Sequence, residues 1–205
     1  MRVRVHQHVN PLSPFYRQKP EPIDVSVFPH RNRPFFLDIG CARGRFLLKL
    51  AELDPTYNYL GIEIREPLVA EANRLAAEAG LTDLHYVFAN AMLWMDELLT
   101  GLPDDSIGVA AIQFPDPWFK KRHAKRRMVN AEMVAALSKK LVQGGRVLVQ
   151  TDIEFLSEEM FEFFRANESF VEEIIDENPF PVKTEREIAV ESKGLPVYRR
   201  IFRRR

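Results

Sequence analysis

The 205-residue sequence predicts an α/β fold, a mostly parallel seven-stranded sheet with helices on both faces. Three observations predict it. After residue 34, short apolar runs alternate five times with amphipathic helical stretches, the pattern of parallel βαβ units. A glycine turn, Gly40 to Gly44, directly follows the first apolar run. Apolar residues make up 46% of the chain, enough to bury the core of one domain without cross-links.

Residues 1–34 carry six of the 14 prolines and show no periodicity, so they predict an irregular arm ahead of a domain over 35–205. Phe15, Tyr16, Ile23, Val25, Val27 and Phe28 equip that arm either to pack on the domain or to touch a ligand. Phe35-Phe36-Leu37-Asp38-Ile39 is the first strand, and a helix over 45–53 follows the turn. Residues 57–64 form the second strand. Pro67 opens a helix whose Leu68, Ala72, Leu75, Ala76 and Ala79 share a face, and Gly80 stops it. Strand 84–88 precedes helix 92–99, strand 107–114 precedes helix 129–142, and strand 146–151 precedes helix 154–167, where Leu156, Met160, Phe163 and Phe164 recur at helical spacing. Two further strands fit 170–175 and 197–203.

The 29 basic and 29 acidic residues cancel, so affinity for an anion must come from the placement of charge. Residues 120–127 hold six Lys or Arg and the last seven residues hold five Arg, while residues 152–177 hold ten acids against Arg165 alone. Cys41 is the one cysteine, which excludes an internal disulfide and a thiol-based zinc site. The five histidines, at 6, 8, 30, 85 and 123, show no ligand spacing. No apolar stretch approaches a membrane span and no secretory core begins the chain, so a cytoplasmic protein without membrane contact is expected.

In a doubly wound sheet, ligands bind beyond the carboxyl ends of the strands. Asp38 and Gly40, Glu63, Asn90, Asp116 and Asp152 follow the first five strands in turn. Glu63, about 20 residues past the glycine turn, can accept from both hydroxyls of a ribose. Position 42 is Ala and the dinucleotide fingerprint is incomplete, which disfavours a pyrophosphate. Asp38 would repel that group yet suits the cationic amino acid end of S-adenosylmethionine. Asp116 stands between two prolines, where the backbone is stiff. Trp118 offers a stacking face, and Lys120, Lys121, Arg122, Lys125, Arg126 and Arg127 are candidates for binding phosphate.

These motifs together resemble the bacterial tRNA (guanine-N7)-methyltransferases over residues 35–203. The resemblance rests on Leu37-Asp38-Ile39-Gly40, Gly61-Ile62-Glu63, Phe114-Pro115-Asp116-Pro117-Trp118, Arg122-His123-x-Lys125-Arg126-Arg127, Thr151-Asp152 and Thr184-x-x-Glu187. It implies a single Rossmann-like class I methyltransferase domain that methylates N7 of guanine 46 in the tRNA variable loop. S-adenosylmethionine would be the donor, S-adenosylhomocysteine the product, and no metal would be needed. Asp38, Gly40, Glu63, Asn90 and Asp116 would line the cofactor site, with Asp116 catalytic. Lys120, Asp152, Thr184, Glu185, Arg186 and Glu187 would meet the substrate, and Arg122, Lys125, Arg126 and Arg127 the RNA phosphates. Beyond tRNA no obligatory partner is implied, and either a monomer or a homodimer fits. The chain departs from the family where Glu usually stands for Asp38, Asp for Asn90, and a second glycine for Ala42. Three other readings have weaker support: methyl transfer to an exocyclic amine, an RNA-binding subunit without cofactor, and a nicotinamide dehydrogenase.

Overall fold

The computed structural model describes residues 9–205; residues 1–8 of the expected arm, with His6 and His8, lie outside them. Strands β1 (Phe35–Ile39), β2 (Asn58–Glu63), β3 (Leu84–Phe88), β4 (Ile107–Gln113), β5 (Leu141–Thr151), β6 (Phe170–Ile174) and β7 (Tyr198–Arg204) form one sheet in the order β3-β2-β1-β4-β5-β7-β6. β7 runs antiparallel to both its neighbours, and the pairings from β3 across to β5 are all parallel. The winding therefore reverses between β1 and β4, and a crevice opens beyond their carboxyl ends.

Every residue of β1 is buried, because helices cover both faces. Leu37 and Ile39 point into a core shared with α3 (Ala91–Leu99), α4 (Ala131–Lys140) and α5 (Glu154–Arg165). Phe36, just before Leu37 in the strand, points the other way, toward α1 (Arg45–Leu53) and α2 (Glu66–Glu78). Each fully buried Leu, Ile or Phe in these layers contributes about 1.5–3 kcal/mol of transfer free energy.

The arm is irregular over residues 9–34 apart from two short 3-10 turns, Pro14–Arg17 and Val25–Val27. It packs on the domain nonetheless. Ile23 and Phe28 are buried in the core, and the Ile23 amide donates to Leu98 O at 3.1 Å. A Cβ at Gly101 would lie 2.0 Å from Ile23 O, so glycine is what admits the arm there.

Two expectations need correction. The helix expected over 129–142 spans only Ala131–Lys140: the Asn130 side chain caps it by accepting from Met133 N, and Leu141 already pairs with Ile107. β5 thus starts five residues early, with a register shift between Leu141 and Arg146, a stretch that includes Gly144 at φ +76°. Second, a helix α6 (Glu185–Glu191) stands where only a motif was expected. Its Thr184 accepts from Glu187 N at 3.1 Å, so Thr184-x-x-Glu187 is a helix start. No helix among the described residues is long and apolar enough to cross a membrane.

Candidate active site

A cleft of about 700 Å³ lies over the carboxyl ends of β1, β2 and β4. It collects Asp38, Gly40, Glu63, Asn90, Asp116, Arg126, Asp152, Thr184, Glu185 and Arg186. A second cleft, of about 630 Å³, sits between the arm and α2, and its mainly apolar walls include none of these residues. Among the described residues, no group of three His, Cys, Asp or Glu is placed to hold a metal ion.

On one side of the main cleft, backbone geometry fixes the carboxylates. Gly40 and Gly44 have φ of +81° and +70°. Ala42 between them has φ +50°, a left-handed conformation costing about 1–2 kcal/mol for a residue with a Cβ. Its amide donates to Glu63 Oε2 at 2.9 Å, which ties the turn to the end of β2. Glu63 Oε1 accepts from the Arg65 amide and Nε at 3.0 and 2.9 Å, so the buried carboxylate is held from two sides. Asp38 is 3% exposed. Burial pushes its pKa up to about 7; the Gln113 hydrogen bond opposes the rise, and the nearby Glu63 charge adds to it. Asn90 is buried too, and its Nδ2 donates to Pro11 O and Tyr16 O at 2.9 and 3.0 Å.

Opposite stands the loop after β4. Phe114 and Trp118, at either end of Pro115-Asp116-Pro117, have φ of +51° and +44°. Two left-handed bulky residues around a proline-flanked acid mark stored strain of about 1–3 kcal/mol each, of the kind that clusters at functional sites. Asp116 itself is exposed to the cleft. The basic run folds into a 3-10 turn, Lys121–Arg126, that doubles back over Trp118. Arg126 lies over the Trp118 ring at 4.9 Å and His123 packs against it at 5.7 Å, so part of Trp118 is taken up by protein while the residue still lines the cleft. Phe119 next to it is 67% exposed.

The run therefore divides. Lys120, Arg122 and Lys125 face solvent, whereas Arg126 and Arg127 turn inward. Arg127 donates from Nε to Pro117 O at 3.1 Å and from Nη2 to Trp118 O at 3.4 Å, and pairs with Glu159 of α5. It clamps the loop that carries Asp116, a role unlike the phosphate contact expected of it. Sequence spacing shows charge in one dimension and could not separate these two groups.

The third wall is the start of α6. Arg186 pairs with Asp152 after β5, and Glu185 pairs with Arg45 of α1. Glu187, expected to meet substrate, has 0% exposure and lies outside the cleft lining. Its Oε1 accepts from Arg199 Nη2 at 3.1 Å, and its Oε2 from Asn178 and Gln150 at 2.7 and 3.2 Å. Gln150 donates onward to Gln113 at 2.9 Å, and Gln113 reaches Asp38 at 3.5 Å. A buried polar chain thus crosses the sheet from Asp38 on β1 to Arg199 on β7. Gln113, Gln150 and Arg199 escaped the sequence reading, although polar residues inside strands expected to be buried on both faces are the signal that could have found them.

The family model described as "Putative methyltransferase" matches residues 32–200. The tRNA (guanine-N(7)-)-methyltransferase of Synechococcus elongatus is 53% identical over 205 residues, covering 98% of this chain and 96% of the relative. This chain belongs to the tRNA (guanine-N(7)-)-methyltransferase family. The Microcystis aeruginosa family member is 50% identical, with 98% of each chain covered. In architecture the chain resembles the aminoglycoside resistance methyltransferase NpmB1, with a TM-score of 0.60 at 18% identity, covering 84% of this chain and 88% of that one. The fold is thus the Rossmann-like class I methyltransferase fold, as the alternating pattern and the motifs implied.

Proposed function

We propose that the protein transfers the methyl group of S-adenosylmethionine to N7 of guanine 46 in the variable loop of tRNA. What carries the reading is the convergence of Asp38, Glu63 and Asn90 with Asp116, Asp152 and Thr184 around one cleft. The donor set suits this cofactor. Glu63 is held by three N–H groups and keeps acceptor capacity for ribose hydroxyls. Asp38, buried and reluctant to ionise alone, gains its counterion when an ammonium group comes to rest beside it. When bound, S-adenosylmethionine supplies an electrophilic methyl group.

Guanine N7 carries an in-plane lone pair and no proton, so the site needs no general base. Alignment and charge remain, and positioning alone supplies as much as about 7–11 kcal/mol of a barrier. Asp116, on its stiff loop, accepts from the guanine N1–H and 2-amino groups and offsets the positive charge that develops on the purine. Adenine presents neither donor pattern. Asp152, oriented by Arg186, stands across the cleft and shares this task. Thr184 and Glu185 line the cleft and border the substrate; Lys120 lies outside that lining and, exposed like Arg122 and Lys125, reaches toward the RNA.

The test uses labelled methyl donor, an unmodified tRNA transcript and mapping of the modified nucleotide. Label should appear at guanine 46 and vanish when 7-deazaguanine replaces it. Label that persists on the 7-deaza transcript would mean an exocyclic amine is the acceptor, and the reading would fail. Asp116→Ala should abolish turnover with tRNA affinity nearly intact.

A further inference from the structure

Asn90 is buried just after β3, and the structure gives its amide a use no carboxylate could serve. Both hydrogens of Nδ2 go to carbonyl oxygens of the N-terminal arm, Pro11 O at 2.9 Å and Tyr16 O at 3.0 Å. A carboxylate only accepts, and would set its charge against two carbonyls. We propose that Val9 to Tyr16 form the outer wall of the nucleobase end of the cofactor site, held closed by the Asn90 amide. The inference rests on the cofactor reading above.

Strand order gives the placement. If the ribose sits on Glu63 at the end of β2 and the amino acid end lies over β1, the base extends toward β3, the next strand outward. Asn90 follows β3, and the cleft walls there are Ile64, Ala91 and Met92 from the domain with Val9 and Pro11 from the arm. Pro11 is buried although it lies in an irregular segment. A second attachment lies outside the cleft, where Phe15 rests on Phe88 of β3 with ring centroids 6.3 Å apart and meets Tyr16 edge-on at 4.9 Å. With Nδ2 committed to the arm, Oδ1 remains as the acceptor for an exocyclic amine of the base. One side chain thus joins wall and ligand, and binding the base favours the closed arm.

Asn90→Asp and Phe15→Ala in the full chain test this. S-adenosylhomocysteine affinity is measured by calorimetry, and tryptic cleavage after Arg17 by mass spectrometry, with and without that ligand. Two lost amide–carbonyl bonds predict that Asn90→Asp weakens binding by about 10- to 30-fold. Cleavage after Arg17 should quicken and be less suppressed by ligand. Phe15→Ala, which leaves the cleft lining untouched, should weaken binding several-fold and also quicken cleavage. Wild-type affinity within two-fold and unchanged cleavage in both variants would overturn the proposal while leaving the cofactor assignment standing. Loss of affinity in Asn90→Asp alone, with cleavage unchanged, would overturn it too, since the residue would then act on the base without the arm. If the wild-type chain binds no S-adenosylhomocysteine, the cofactor reading itself falls, and this inference with it.

Discussion

Replacing Glu187 by Gln should cost the fold heavily although the substitution exchanges one atom. Glu187 is fully buried and all three of its contacts are donors: Arg199 on Oε1, and Gln150 and Asn178 on Oε2. A glutamine offers one acceptor and one NH2. Whichever way the amide is turned, its hydrogens face either the Arg199 guanidinium or the Gln150 and Asn178 amides. Breaking a buried ion pair from one side costs about 3–5 kcal/mol, because the remaining charge stays desolvated. Arg199 keeps Asp176 O at 2.6 Å and Glu191 at 3.2 Å, which places the expected loss at the low end, about 3 kcal/mol. In a domain of this size that corresponds to a melting temperature lower by about 6–12 °C. Urea denaturation of the ligand-free protein measures it directly. The partner test is Glu187→Gln with Arg199→Met, in which the buried charge goes as well; the double variant should regain at least about 1.5 kcal/mol over the additive expectation. A single-variant loss below about 1 kcal/mol, the value of a solvated surface pair, would refute the network account.

Gly44→Ala should destabilise by about 2–5 kcal/mol, combining the left-handed backbone with overpacking. A Cβ there would lie 2.4 Å from the ring of buried Tyr86, whose hydroxyl already donates to Gly44 O; a midpoint unchanged within error would contradict this. Asp38 has a folded pKa near 7 against an ordinary 3.8, so between those values the folded state holds a proton that the unfolded chain has released. Stability of the ligand-free protein should therefore fall as pH rises through that window, by at most about 1.4 kcal/mol per unit. Asp38→Asn should remove that slope, and denaturation curves from pH 4.5 to 8 that run parallel in both proteins would count against the assignment. Arg127→Met frees the Asp116 loop from its clamp and should lower kcat about 100-fold with KM for tRNA little changed. Arg122→Ala should instead raise KM and flatten its salt dependence; the opposite split would reverse the roles given to the two arginines.

The sheet was legible because its signal is redundant. Five βα alternations with apolar runs of strand length leave few other architectures, and residues such as Leu37 and Ile62 fall in the core wherever the strand ends are drawn. The cleft was legible at the strand ends, where the sequence places Glu63 and Asp116 and where the structure brings both into one lining. What stayed hidden depends on direction in space. A helical start motif at Thr184 was read for its chemistry alone, so α6 went unseen and Glu187 was turned toward substrate instead of inward. Spacing could not reveal that Asn90 faces two arm carbonyls, or that a 3-10 turn folds Arg126 and Arg127 back while Arg122 and Lys125 stay out. Gln113 and Gln150 sit on adjacent paired strands and satisfy each other, a relation visible only once the register is known.

The order of strands has a consequence for synthesis. β7 follows β6 along the chain but lies inside it in the sheet, between β5 and β6. A nascent chain emerging from the ribosome can pair β1 through β5 as they appear, yet β6 has no edge to join until β7 has been made and threaded against β5. Glu187 leaves the exit tunnel before Arg199, so its carboxylate gains that counterion only when β7 arrives. Every residue that lines the cleft precedes β7, yet the α6 wall gains its buried ion pair to the sheet only with Arg199 of that last strand.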